Sequence, residues 1–110
     1  MRRPAPVAVT GLGCICAAGR NLPETMAALF RGERAPAPPR RFATSHPTPF
    51  PVFEVAEDFA GRDDLLRTSL LALAAADEAL ADAGWSRESL RPLRVGVCLG
   101  TTVGSAMNNE

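Results

Sequence analysis

The longest regular pattern of apolar and polar positions runs from Arg62 to Gly84, RDDLLRTSLLALAAADEALADAG. Leu66, Leu70, Leu73 and Leu80 recur there at helical spacing, and Leu65, Ala72, Ala76, Ala79 and Ala83 widen the stripe. The spacing predicts a helix whose middle leaves little surface for water, so other parts of the fold must cover it. Its ends are marked by Asp63 or Asp64, suited to the free amides of a first turn, and by Gly84, a residue for the left-handed position that closes the last turn. A shorter helix is predicted over Leu22 to Gly32, where Leu22, Met26, Leu29 and Phe30 share a face. Asn21 and Glu24 make a capping pair, and Pro23 falls in the first turn, where its missing amide costs nothing.

The pattern changes period on either side of these helices. Pro6 to Thr10 is a short β-branched run that ends at Gly11-Leu12-Gly13, as a strand leaving its sheet through a tight turn would. Arg94 to Gly100 is a second run, apolar enough for burial on both faces, and Val52 to Val55 alternates weakly as an edge strand would. Residues 33–51 hold most of the chain's ten prolines together with Arg34, Arg40 and Arg41, and are expected to form an extended surface loop. Trp85 to Pro92 reads as a loop or broken turn. Two buried-type strands joined by a helical crossover are most simply parallel neighbours, which makes the expected class α/β. Two strands cannot cover the apolar faces of both helices, and Ser105 to Glu110 reads as the start of another helix. The chain is therefore expected to be the opening part of a larger unit.

Composition narrows the function without choosing it. All 12 basic residues are arginine, the formal charge is zero and the arginines are scattered, so no nucleic-acid footprint emerges. No apolar run reaches the roughly 18 residues a membrane span needs, and prolines and glycines interrupt the N-terminus where a secretory apolar region would lie. Three cysteines, an odd number, suit a reducing compartment, and the expected location is cytoplasmic.

Candidate chemistry is sparse. Gly11-Leu12-Gly13 after a strand invites a dinucleotide reading, but Cys16 stands at the third glycine position and no strand ending in an acidic residue follows. A structural turn is the better reading. Cys14, Cys16 and Cys98 lack the spacing and histidine partners of a metal or nucleophilic site, the sole histidine, His46, lies in the proline-rich loop, and small buried apolar roles are expected for all three thiols. Gly100 to Gly104 follows a strand, where open α/β sheets build ligand sites, but it carries no charged partner. No catalytic, cofactor-binding or metal-binding residue is assigned.

Four segments, in order and in register, resemble the N-terminal end of the β-ketoacyl-acyl-carrier-protein synthases. They are Val7-Ala-Val-Thr-Gly-Leu-Gly13, the Glu24-Thr-Met-Ala-Ala-Leu-Phe-Arg-Gly32 helix, Ala75-Ala-Asp-Glu-Ala-Leu-Ala-Asp-Ala-Gly84 and Arg94-Val-Gly-Val-Cys-Leu-Gly-Thr-Thr-Val-Gly-Ser105. The resemblance implies a thiolase-like layered fold, of which residues 1–110 form the N-terminal portion of the N-terminal domain. It also implies an acyltransferase that carries out decarboxylative condensation in fatty-acid or polyketide-like synthesis, with acyl carrier protein as partner and a homodimer or ketosynthase-like heterodimer as the assembly. The family's cysteine, in an Ala-Cys-Ser-Ser type of turn, and its two histidines have no counterpart among these residues, so the fragment itself is expected to be inactive. A non-catalytic ketosynthase-like subunit would share every motif quoted, and a nucleotide-binding α/β module is a more distant alternative.

Overall fold

The computed structural model describes residues 3–102. Three helices are present among them: α1 (Leu22–Phe30), α2 (Arg67–Asp82) and α3 (Arg87–Leu90). α1 begins as its sequence demands. The Asn21 side chain accepts from the Glu24 amide at 2.9 Å, Pro23 has no amide to satisfy, and Thr25 N donates to the Asn21 carbonyl at 3.1 Å. The returning arm of the expected capping pair lands one residue earlier, with Glu24 Oε2 accepting from Arg20 N at 2.9 Å.

Both longer helices close with the same device. In α1, Glu33 N donates to Ala28 O and Gly32 N to Leu29 O; in α2, Trp85 N donates to Leu80 O and Gly84 N to Ala81 O. These paired bonds form the Schellman ending, which places its next residue in the left-handed region, and Gly32 and Gly84 have φ of 69° and 74°.

The start of α2 differs from expectation. The helix begins at Arg67 instead of Arg62, and its N-cap is Leu66, which has no side-chain oxygen to offer. Residues 59–66 are spent on turns: Phe59 and Gly61 have positive φ, Arg62 N returns to Phe59 O, and the Asp64 carboxylate is taken by Arg62 Nε at 3.2 Å. The first turn is instead secured through Arg67. Its guanidinium donates to the carbonyls of Glu57 and Val55 at 2.7 and 2.8 Å and sits over the Phe59 ring. Arg41 reaches the same carbonyls from the proline-rich loop, so alternate carbonyls of an extended segment serve two arginines.

The expected strands are not paired among the described residues. Pro6–Thr10 and Arg94–Gly100 have no ladder partners, and Val52–Val55 contributes a single antiparallel bridge, Ala37 to Val52. Cys98, expected to be buried in mid-strand, is exposed, because no neighbouring strand covers it. Val7, Val97 and Leu99 are 95%, 82% and 78% exposed. The buried apolar core among the described residues consists of Ala28 and Leu70. A radius of gyration of 17.6 Å agrees with this loose arrangement, since a compact chain of this length would measure about 13 Å.

One close seating ties the N-terminal segment to α2. Residues 11–14 lie directly on α2, along the small-residue stripe Ala75, Ala79 and Ala83. A Cβ built on Gly13 would fall 1.9 Å from Ala75 O, and one on Gly11 would fall 2.1 Å from Ala79 O, so only glycine admits this approach. Gly13→Ala is therefore expected to lift the segment from α2 at a cost on the order of 2 kcal/mol, by overpacking against a backbone that cannot yield. Gly96→Ala, which meets nothing within 4 Å, is its control. Amide hydrogen exchange along α2 should accelerate in the first variant and stay unchanged in the second.

Candidate functional site

Where residues 11–22 meet α2 and the start of α1, the chain concentrates its polar contacts. Leu12 N donates to Asp82 Oδ2 at 2.9 Å, and Cys14 N donates to Glu78 Oε2 at 2.8 Å. The spacing fits: two residues of extended chain advance about 6.6 Å and four residues of helix about 6 Å, so alternate amides meet acidic groups one helical turn apart. The second oxygen of Glu78 accepts Leu22 N, the first amide of α1, at 2.7 Å. This one carboxylate thereby holds the glycine segment to α2 and caps the positive end of α1. Glu78 and Asp82 lie within the Ala75 to Gly84 motif, where no local pattern gives either a role; the signal for them is an acidic pair at i and i+4 on the small-residue helix.

The same geometry answers the dinucleotide reading. Amides that would cradle a pyrophosphate are already bonded to carboxylates, and the space left by the glycines is filled by the backbone of α2. Gly11-Leu12-Gly13 works as a packing turn.

Cys14 and Cys16 are half-buried beside this junction, and both are free thiols. Cys16 exchanges backbone bonds with Gly19, N to O at 2.9 Å and O to N at 3.3 Å, and its Sγ lies 3.5 Å from Oγ1 of the buried Thr25. The hydrogen bond with Thr25 is the main cause that lowers the Cys16 thiol from its ordinary value. Partial burial opposes it, and the amides of Ala18 and Gly19 and the Cys14 side chain assist. His46 stands apart, its Nδ1 at 2.8 Å from Thr48 O and its ring against Phe50, so it is not paired with either thiol. Among the described residues no three histidine, cysteine or acidic groups come together as metal ligands.

Two open clefts flank the proline-rich loop. One of about 370 Å³ is lined by Arg40, Arg41, Ala56 and Asp58, and one of about 600 Å³ includes Ala17, Pro36, Pro39 and Glu54 in its walls. Their charges are internally matched. Glu54, its side chain 14% exposed, accepts the amides of Arg40 and Arg41; burial works against its ionisation, but those two amides hold its carboxyl below the usual range. Burial and the adjacent Arg41 charge push the Arg67 guanidinium down from its ordinary value. The Gly100 turn is described only through Thr102, and Val103 to Ser105 lie outside the described residues. No helix among the described residues is long and apolar enough to cross a membrane.

The described residues thus define a scaffold: a glycine turn seated on a small-residue helix, without a nucleophile and base in mutual reach. Residues 4–110 match the family described as Beta-ketoacyl synthase, N-terminal domain, and the chain belongs to that family. It is 38% identical over 106 residues to a protein of Streptomyces virginiae described as polyketide beta-ketoacyl synthase 2, a match covering 90% of this chain and 26% of that protein. It is 33% identical over 114 residues to one of Streptomyces coelicolor described as actinorhodin polyketide beta-ketoacyl synthase 1, covering 94% of this chain and 24% of that protein. The chain therefore spans about a quarter of the length of these relatives. No solved structure matches it. The family is one of condensing transferases.

Replacing Glu78 tests the junction. Glu78→Ala strands two amides and is expected to cost about 3 kcal/mol, while Glu78→Gln keeps one acceptor oxygen and should cost roughly half as much. Denaturant titration followed by helical circular dichroism should rank wild type above Gln above Ala.

Proposed function

We propose that the full-length protein carrying this chain is a β-ketoacyl synthase of polyketide assembly. It transfers an acyl group to a cysteine and condenses it, with loss of carbon dioxide, onto a malonyl unit delivered by acyl carrier protein. Residues 1–110 are the N-terminal portion of its N-terminal domain, residues 33–51 are a surface loop, and the fold on completion is thiolase-like. The match of residues 4–110 to the family carries this reading, and the polyketide names of both relatives favour that pathway over fatty-acid synthesis. The exposed runs around Val7 and Val97 support the completed sheet, since parallel strands of this composition are buried on both faces. The described residues serve as scaffold in this reading: acyl transfer needs an activated thiolate and decarboxylation needs donors aimed at the enolate, groups expected elsewhere in the full-length protein. The protein works as a dimer in the cytoplasm.

The test is decarboxylation of malonyl-carrier protein. The full-length protein is expected to release carbon dioxide and accept an acyl group, and residues 1–110 alone are expected to do neither. Carrier binding without acylation by the full-length protein would replace this reading with a non-catalytic subunit, and activity of residues 1–110 alone would overturn the scaffold role.

A further inference from the structure

We draw no further inference here: the strongest candidate, the side-chain cluster beside the proline-rich loop where Arg41 and Arg67 share the carbonyls of Val55 and Glu57 next to Asp58, carries nothing, because Asp58 and those carbonyls already take up both guanidinium groups and nothing in the structure shows what covers the loop in the full-length protein.

Discussion

The ordered part of this chain depends on one carboxylate. Glu78 accepts from Cys14 on one oxygen and from Leu22 on the other, and so joins three pieces of chain that have no direct helix-to-helix packing to hold them. Placing a negative charge toward the C-terminal half of α2 is unfavourable for that helix's own dipole, and α2 has no basic residue in its last turn to offset it. The same side chain lies at the N-terminal pole of α1, where a carboxylate suits the helix dipole, and accepts the amides of Cys14 and Leu22. Asp82, one turn on, repeats the arrangement with Leu12.

That junction explains what the segment before α1 is for. Two glycines let the chain lie against the carbonyls of α2, and three alanines on α2 leave room for it. The result is a fixed exit from the Pro6–Thr10 run and a fixed entry to α1, the geometry needed to set a strand and its following helix in a layered fold. The strands themselves are another matter. Val7, Val97 and Leu99 face outward, and their burial requires hydrogen-bonded neighbours that residues 3–102 do not provide. This fits a chain that spans about a quarter of the length of its polyketide synthase relatives.

The features legible in the sequence were those fixed by local chemistry. The Asn21 cap, the start of α1 at Leu22 and the Gly84 closure of α2 rest on bonds between residues a few positions apart, and each formed where the pattern placed it. The start of α2 did not, because Asp64 pairs with Arg62 and Arg67 finds the carbonyls of residues 55 and 57, partners no local pattern reveals. Strand formation also eluded the pattern, since a ladder is a property of two segments and β-branched composition describes only one of them. Glu78 was the least visible. Its partners lie 64 and 56 residues away, and in the sequence it reads as one more solvated position on an alanine-rich helix.

The seating of residues 11–14 on α2 is most directly tested by residue-resolved amide hydrogen exchange. Leu12 and Cys14 donate to carboxylates on α2, and Leu22 is bonded to the same Glu78, whereas the amides of Gly13 and Ile15 make no bond to these acceptors. The account predicts slow exchange at residues 12, 14 and 22, alternating with fast exchange at 13 and 15. Uniformly fast exchange across residues 11–22 would contradict it.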